Sequence, residues 1–355
     1  MLPSSNRGVS EFRQGPNVLV DWIAASVDLP AVLAEQAWPV SIKETLDTLD
    51  SSGANALDVA LAVLAFFFGG CGFTLADEAR PGRFYLWRVG VRDAQGNHVG
   101  LIEFGGTNTV RKDGVYTARI ELTGNGCRIY EGAAGSGHAK RWLELRAKLE
   151  SCAGRLTRID VAADDLQGAF PIQWAISTWQ NGGFDNRGQR PKSQHINDFG
   201  SGEGSTLYVG TVASEKRLRV YEKGKEQGDP ESSWVRYEAE FKASNRKELP
   251  LDLLRDPRSY LLGAYPVLRF LNALATRIDV TNSAATATLK SARRHLRRQY
   301  GATLNFIVKH TRSDAELATV VRSLTKPKLP DWATTSSGND WPEILSITTS
   351  EAMQK

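Results

Sequence analysis

The chain has 355 residues, which is long enough to bury a large core in one elaborate domain or two ordinary ones. Its hydrophobic content of 41% and charged content of 24% are typical of a soluble globular protein. The most apolar run, Leu57 to Phe68, has about a dozen residues, whereas a membrane span needs roughly 20, so the sequence argues against a membrane protein. The net charge of +4 is too small to indicate a partner by itself.

The N-terminal segment and the cysteines indicate the compartment. The first residues lack the apolar core of a signal peptide. Cys71, Cys127 and Cys152 form neither a CxxC pair nor a metal-ligand spacing. We therefore expect a reduced protein in the cytoplasm.

The first half of the chain predicts a long strand, a helical segment and a series of short strands. The clearest element is a buried helix over Ala56 to Phe68, because this segment is almost wholly apolar. The other predicted elements are, in chain order, a strand over Val18 to Val27, helices over Pro30 to Ala37 and Ser41 to Leu49, strands over Phe84 to Gly90, His98 to Phe104, Val115 to Leu122 and Cys127 to Tyr130, and a helix over Ser136 to Ser151.

The second half predicts strands around a central hairpin, followed by helices. Asn181 to Glu203 is rich in Gly, Asn, Arg and Ser, so we expect a mobile loop there. The other predicted elements are a strand over Arg155 to Asp165, a helix over Pro171 to Gln180, the hairpin segment from Thr206 to Lys242, helices over Leu251 to Leu262 and Pro266 to Leu274, and a basic helix over Ser283 to Asn305.

Together these elements predict an α+β fold: a curved, mainly antiparallel β-sheet with helices on one face, followed by a basic C-terminal helical region. The motif TRIDV at Thr157 to Val161 recurs at Thr276 to Val280. A duplication into two half-sheets is one interpretation of this repeat. The other is that Arg/acid pairs are common on exposed sheet faces.

The hairpin segment carries the residues of greatest chemical interest. At the two-residue period of a strand, Arg217, Arg219, Tyr221 and Lys223 lie on one face. In the next predicted strand, the residues that share a face are Arg236, Glu238, Glu240 and Lys242. The pattern therefore places a tyrosine flanked by cations one connection away from a pair of carboxylates, although an ordinary half-buried sheet would show the same alternation.

A tyrosine in a cationic setting can attack a phosphodiester and hold the phosphoryl group as an ester. Arg219 and Lys223 would stabilise the phenolate of Tyr221 and neutralise the phosphate. A divalent cation, Mg²⁺ or Mn²⁺, would add to this effect. Hard oxygen ligands for such an ion are available at Asp160, Asp164, Glu238 and Glu240.

Several known motifs are absent or incomplete. The five histidines include no His-x-His pair, and the chain has no zinc-finger, Walker A or dinucleotide fingerprint. His295 to Arg298 matches the His-x-x-Arg box of tyrosine recombinases, with Tyr300 nearby. Because that family places its nucleophile tens of residues later and no Tyr follows Tyr300, we interpret the match as a coincidence.

The segment from Val280 to Ser313 contains no acidic residue, which indicates a polyanionic partner. On a helix its basic side chains would cluster beside an apolar stripe, in an arrangement that can follow DNA phosphates. These predicted DNA-binding residues are Lys290, Arg293, Arg294, Arg297 and Arg298. A solvated helix without a partner is the alternative.

Three segments, RLTRIDVAADD, TLYVGTVASEKRLRVYEKGKEQGD and SSWVRYEAEFK, resemble the replication initiation factors of filamentous phages and rolling-circle plasmids. That family has an Arg-x-Asp strand, a hairpin with Tyr-x-Gly and Arg-x-Tyr-x-Lys, and an Arg-x-Glu-x-Glu strand, in this order. Upstream, IELTGNGCRIYEG is similar to its Gly-rich strand and turn. The resemblance extends from about Val18 to about Lys309.

The resemblance implies a nickase that cuts one strand of double-stranded origin DNA and stays attached to the 5′ phosphate through tyrosine. It implies Tyr221 as nucleophile and Asp160, Glu238 and Glu240 as metal ligands. Tyr208 is the other candidate nucleophile. It ranks below Tyr221 because its neighbours in sequence, Leu207 and Val209, offer no cation. The implied partners are single- and double-stranded origin DNA, a host helicase and polymerase, and optionally a second copy of the chain.

The implied domains are a flexible N-terminus (1–17), a nickase and origin-binding domain (18–280), a basic helical DNA-binding extension (281–325) and a flexible tail (326–355). Two alternatives stay open at this point. One is a protein of the same ancestry that binds an origin or operator without cutting it. The other is a tyrosine recombinase, which the tyrosine positions disfavour.

Overall fold

The computed structural model describes residues 18–38, 41, 44–47, 49, 55–106, 109–111, 113–133, 138–185, 188–244, 248–271 and 283–327, without the side chains of 138–139, 283–291, 293–295 and 298. The strands are β1 (Val18–Asp28), β2 (Thr74–Leu75), β3 (Arg80–Pro81), β4 (Trp87–Arg92), β5 (His98–Phe104), β6 (Thr117–Leu122), β7 (Arg155–Asp165), β8 (Ser193–Ile196), β9 (Thr206–Val209), β10 (Lys216–Tyr221) and β11 (Val235–Lys242).

The helices lie between and after these strands. They are α1 (Leu29–Glu35), α2 (Ala56–Phe68), α3 (Gly124–Gly132), α4 (His138–Ser151), α5 (Ile172–Gln180), α6 (Lys223–Glu226), α7 (Pro257–Ala264), α8 (Ser283–His310) and α9 (Asp314–Ser323), with 3₁₀ turns at Leu251–Leu254 and Pro266–Phe270. Among the described helices, none is long and apolar enough to cross a membrane.

Eleven described strands form one sheet in the order β2-β4-β5-β6-β1-β7-β11-β10-β9-β8, with β3 also paired to β4. Every pairing of these strands is antiparallel. The two longest strands, β1 and β7, lie side by side at the centre. The predicted α+β fold with an antiparallel sheet is confirmed.

The strand order divides the sheet into two similar halves. In the first half, β1 is followed by helices and by the meander β4-β5-β6, whose last strand pairs with β1. In the second half, β7 is followed by α5 and by β9-β10-β11, whose last strand pairs with β7. This order supports the interpretation of two half-sheets. The second copy of TRIDV, at 276–280, lies outside the described residues.

One face of the sheet is apolar and covered by helices. Side chains along each strand point alternately to this face and to the opposite one. Buried residues on the apolar face include Ile23, Ile159, Tyr237 and Val220. Helices α2, α3, α5 and α7 pack on this face. Removal of apolar surface from water stabilises a folded protein by about 25 cal/mol per Å², so burial of this face contributes much of the stability of the fold.

The opposite face, which we call the polar face, has a continuous row of charged side chains. The pairing register brings them onto the same side across β5, β6, β7, β11 and β10. These residues are Glu103, Arg119, Glu121, Arg158, Asp160, Glu238, Glu240, Arg217 and Arg219.

The prediction of a short strand at Cys127 to Tyr130 was wrong, because this segment lies in α3. Its glycines do not form the predicted turn. A Cβ on Gly126 would come within 2.3 Å of the Val99 carbonyl oxygen, so glycine here permits close packing of the helix against β5. A four-residue apolar run does not by itself distinguish a strand from a buried helix turn.

The prediction of a structureless loop over Asn181 to Glu203 was wrong in part. Ser193–Ile196 forms β8, which pairs with β9 and places Gln194 opposite Tyr208. This edge strand is exposed over most of its length, so it lacks the alternation of apolar and polar residues that identifies a half-buried strand. Its pairing with β9 adds an edge strand to the sheet next to the hairpin.

Candidate active site

The register of β9, β10 and β11 brings the predicted catalytic residues together on the polar face. Arg219 lies opposite Glu238 on β11 and opposite Tyr208 on β9. Its guanidinium donates a hydrogen bond of 2.9 Å to Glu238 Oε2. Burial alone would lower the pKa of Arg219, but the Glu238 carboxylate raises it, so this arginine stays charged.

Tyr221 is close to the predicted cations and is closed off from solvent. Its side chain is only 3% exposed, and its hydroxyl donates a hydrogen bond of 3.1 Å to Glu238 Oε2. The Arg219 guanidinium lies 4.1 Å from the centre of its ring. Burial, and next the Glu238 carboxylate, raise the pKa of Tyr221 well above its usual value. Tyr221 therefore remains a neutral phenol in this arrangement.

Tyr208 is half-buried and has a cation of its own. The Arg217 guanidinium stacks 3.9 Å from the centre of the Tyr208 ring, and Arg219 lies directly across the strand pair. The expectation that Tyr208 lacks a cation was wrong, because it considered only Leu207 and Val209, the neighbours in sequence. Cross-strand neighbours supply the charge instead.

The alternation predicted that Lys223 lies on the same strand face as Arg217, Arg219 and Tyr221, and the structure contradicts this. Strand β10 ends at Tyr221, and Lys223 begins the short helix α6. Its buried ammonium still lies 5.5 Å from the centre of the Tyr221 ring and forms an ion pair of 2.6 Å with Glu226. Burial, and next Arg236, lower the pKa of Lys223.

The carboxylates next to the tyrosines are held by arginines. Arg158 donates to both carboxylate oxygens of Asp160, at 2.9 and 2.6 Å, and contacts Glu240 Oε2 at 2.8 Å. Its guanidinium also stacks 4.8 Å from the centre of the Trp22 ring. Lys242 forms a second ion pair with Glu240 at 2.7 Å. Asp160 and Glu240 therefore share the positive charge of the Arg158 guanidinium.

Within the described residues, no three His, Cys, Asp or Glu side chains surround a point closely enough to hold a metal ion. The reason at this site is that Arg158 lies between Asp160 and Glu240, and Arg219 holds Glu238.

The donor set still has the chemistry that Mg²⁺ or Mn²⁺ requires, since it consists of hard carboxylate oxygens. The pKa of Asp160 is raised to about 7, chiefly by burial; the hydrogen bonds from Arg158 lower it, and the nearby Glu238 and Glu240 carboxylates raise it. A divalent cation held by Asp160 and Glu240 would have to take the place that the Arg158 guanidinium occupies between them.

Asp164, the remaining carboxylate predicted from sequence, belongs to a separate buried network. Arg236 donates to both of its oxygens, at 2.7 and 2.8 Å, and to Asp21 Oδ2 at 3.0 Å. The Trp234 indole donates a further bond of 2.8 Å to Asp164 Oδ1. Burial alone would raise the pKa of Asp21, but Arg236 lowers it. This network joins β1, β7 and β11 next to Tyr221, which is the register partner of Arg236.

We expect Arg236→Leu to destabilise the protein by about 3–5 kcal/mol, because the substitution leaves Asp164 and Asp21 as unpaired buried charges. Arg236 is 0% exposed, so water cannot replace its hydrogen bonds. Urea denaturation measures the change. The control is Arg255→Gln, which removes an ion pair at 3.7 Å from an arginine that is 61% exposed and should cost at most about 1 kcal/mol. Similar losses for both variants would contradict the structural role of Arg236.

The predicted basic helix exists as α8, with its bounds at Ser283–His310. Arg297 is exposed on it. The side chains of Lys290, Arg293, Arg294 and Arg298 lie outside the described part of the chain, so their arrangement as a ridge stays a prediction. The predicted flexible N-terminus (1–17), and the predicted flexible tail (326–355) from residue 328 onward, also lie outside the described residues.

Two arginines at the centre of this site, Arg158 and Arg217, were given no functional role from the sequence. Arg158 precedes Asp160 by two residues, in the Arg-x-acid pattern that also occurs at Arg119 and Glu121. That pattern indicates a same-face pair and could have identified it. Arg217 was assigned to the correct face, but its contact with Tyr208 depends on the pairing of β9 with β10, which no local pattern specifies.

Comparisons with known proteins find a similarity to one family in the second half of the chain. The family model described as replication initiation factor matches residues 154–321. This segment contains Asp160, Tyr208, Tyr221, Glu238 and Glu240.

The curated Bacillus subtilis (strain 168) protein "Putative DNA relaxase NicK" is 29% identical over 167 residues, which are 43% of this chain and 47% of that protein. The chain thus matches about half the length of this relative. The structure of a rolling circle replication initiator protein from Geobacillus stearothermophilus has 21% sequence identity and a TM-score of 0.46, covering 73% of this chain and 96% of that one. The resemblance predicted from the sequence is confirmed: residues 154–321 are similar to the replication initiation factors.

Proposed function

We propose that the protein initiates rolling-circle replication by nicking one strand of double-stranded origin DNA through a tyrosine nucleophile, assisted by Mg²⁺ or Mn²⁺. The observation that carries this proposal is the polar face around β10. Two tyrosines and two arginines lie there beside three carboxylates, inside the segment that matches the replication initiation factors. This is the set of groups that cleavage of a phosphodiester by a protein nucleophile requires.

In the proposed reaction, a phenolic oxygen attacks the scissile phosphorus and the bond from phosphorus to the 3′ oxygen breaks. The phenol loses its proton and the departing 3′ oxygen gains one, leaving a 3′ hydroxyl and a 5′ phosphotyrosine. Arg217 and Arg219 would neutralise the phosphate. A bound divalent cation, held by Asp160, Glu238 and Glu240, would withdraw charge from the phosphate oxygens.

Of the two candidate nucleophiles, Tyr208 satisfies more of the requirements. It is half-buried, with Arg217 stacked on its ring and Arg219 opposite, so its hydroxyl can reach a phosphate laid on the polar face. Tyr221, the first choice from sequence, is buried and bonded to Glu238, and its pKa is raised. We therefore propose Tyr208 as the nucleophile and Tyr221 as a group that positions Glu238.

The remaining parts of this proposal concern partners and place. The DNA would be bound first as a duplex origin and then as a displaced single strand. A host helicase and polymerase would extend the 3′ hydroxyl in the bacterial cytoplasm. Assembly as a homodimer is compatible with this reaction and is not required by the geometry of the site.

Covalent capture distinguishes a nickase from a protein that only binds the origin. The protein is incubated with a single-stranded oligonucleotide that contains the nick site and carries a label 3′ of that site, in the presence of Mn²⁺. We expect a labelled protein band that survives denaturation, because the 5′ phosphate of the labelled fragment stays esterified to tyrosine. Tight binding without a covalent band would favour the non-catalytic alternative.

A prediction for the basic extension follows from the spacing of Arg293, Arg294, Arg297 and Arg298, which on a helix form one ridge. If this ridge contacts duplex phosphates, replacing all four by Gln should weaken duplex binding across sequences. It should also reduce the slope of log affinity against log salt by up to about 3.6, since each contact contributes roughly 0.9.

Cleavage of a single-stranded oligonucleotide should survive this quadruple substitution, because the polar face around β10 is untouched. An unchanged salt slope for duplex binding would mean that the ridge is a solvated surface and that duplex recognition belongs to the sheet.

A further inference from the structure

A basic groove opens on the polar face at the sheet edge formed by β2, β3, β4 and β5, far from the tyrosines. Its volume is about 650 Å³. The charged and titratable side chains that line it are Arg80, Arg88, Arg92, His98, Asp77 and Glu78. Gly90, between Arg88 and Arg92, lies on its floor, where an added Cβ would contact the His98 ring at 3.6 Å. This is an ordinary van der Waals distance, so a larger side chain at position 90 would line the groove and narrow it.

Two exposed arginines of the groove are direct cross-strand neighbours. Arg80 on β3 pairs directly with Arg88 on β4, and like charges in this arrangement destabilise a strand pair. Within the described part of the chain, neither has a carboxylate at ion-pair distance. The third, Arg92, pairs at 3.2 Å with Asp77, whose side chain is 89% exposed, so this bond contributes little.

The surroundings of His98 also indicate unbalanced positive charge. Burial lowers the pKa of His98, and Arg88 and Arg92 lower it further. Burial disfavours charge of either sign, so only the contribution of Arg88 and Arg92 to this pKa indicates a positive potential, and a positive potential favours an anion. Adjacent guanidinium groups suit phosphate oxygens in particular, because each can donate two parallel hydrogen bonds.

The groove and the candidate active site share one face of one sheet. Arg88 lies opposite Glu103, and the row of charged residues continues from Glu103 to Arg219. From β4 to β10 there are six strand spacings, a path of roughly 29 Å. The carboxylates along it are all held by arginines: Glu103 and Glu121 by Arg119, Asp160 and Glu240 by Arg158, and Glu238 by Arg219. Their negative charge is therefore partly neutralised.

We propose that this groove binds the sugar-phosphate backbone of the same DNA strand whose other part lies on the Tyr208 face. Arg80 and Arg88 contact successive phosphates, and Arg92 joins them when its exposed bond to Asp77 opens. The inference rests on the proposed function, because it takes the strand on the polar face to be the one that is nicked. The strand is single where it crosses the sheet, since a flexible chain can follow the row of side chains.

The test is binding of oligothymidylates of about four and about 20 nucleotides, which bracket the usual site sizes for single strands. Anisotropy is measured in EDTA to prevent cleavage, over a range of salt concentrations. We expect the wild type to bind the long strand more tightly, because only the long strand reaches both places. In the variant with Arg80→Gln and Arg88→Gln, affinity for the long strand should fall on the order of tenfold, with the salt slope smaller by about 1.4.

For the short strand, the same double variant should lose at most about a factor of two, since the Tyr208 face is intact. The charge-matched control is Arg83→Gln with Arg255→Gln, two exposed arginines that do not line the groove. Gly90→Val narrows the groove without changing its charge, and it should also weaken binding of the long strand. If thermal unfolding shows that the double variant is misfolded, Gly90→Val decides whether the groove binds DNA.

Long-strand binding equal to that of the control, or an equal loss on both strands, would overturn the assignment of the groove. Plasmid nicking by the wild type is measured in parallel. Its absence would contradict the proposed function, while the oligonucleotide comparison would still decide whether the groove binds DNA.

Discussion

Replacing Tyr208 by Phe should reduce nicking and covalent attachment on the order of 10⁴-fold or more, because a step that depends on one nucleophile loses it entirely. DNA binding should stay near wild type, since Phe keeps the ring on which Arg217 stacks. The measurement is conversion of supercoiled origin DNA to the nicked circle, with binding followed separately.

Tyr221→Phe is the matched control. It removes the hydroxyl that donates to Glu238 at 3.1 Å, so it should cost about 1 kcal/mol in the positioning of that carboxylate and less than about tenfold in rate. The reverse outcome, with Tyr221→Phe inactive and Tyr208→Phe active, would return the nucleophile to Tyr221. In that case Tyr221 would have to leave its buried position before it reacts.

Asp160→Asn and Glu238→Gln should each lower metal-dependent nicking by on the order of 100-fold or more, because a bound divalent cation contributes several kcal/mol to stabilisation of the transition-state charge. Titration calorimetry with Mn²⁺ should show weaker binding in both variants. Excess Mn²⁺ should partly restore a single loss by mass action. Normal cleavage by both would mean that these carboxylates are structural.

Arg158→Gln is the informative counterpart of these two variants. Arg158 lies where a cation would bind between Asp160 and Glu240, so its removal should strengthen Mn²⁺ binding in the same calorimetric experiment. Unchanged or weaker binding in Arg158→Gln would show that the guanidinium does not compete with the metal. Arg146→Gln, on α4 and away from the polar face, provides a control for loss of a partly exposed arginine.

Local patterns were sufficient for most of the fold. The central strands β1, β5 and β7 and the apolar helix α2 lie close to their predicted bounds, because each is a largely buried segment rich in apolar residues. The helix α3 and the edge strand β8 were missed for opposite reasons. The first is short and glycine-rich, and the second buries almost nothing.

The site was predictable only to the level of sheet faces. Alternation placed Arg219 on the face of Tyr221, and the pairing of β10 with β11 brings Glu238 beside both. It could not show that Tyr221 is covered or that Arg217 stacks on Tyr208, because both depend on which strands become neighbours. Register between strands is set by the whole sheet, so such contacts are not encoded in any one segment.

The central claim, that this protein cuts DNA through a tyrosine ester, is tested most directly by mapping the attached residue. Supercoiled origin DNA is incubated with the protein and Mg²⁺ or Mn²⁺, the covalent complex is digested with nuclease and protease, and the peptides are analysed by mass spectrometry. The account predicts a 5′ phosphotyrosine on the peptide that contains Tyr208. A nicked product without any tyrosine-linked nucleotide, or no nicked product under conditions in which the origin is bound, would contradict it.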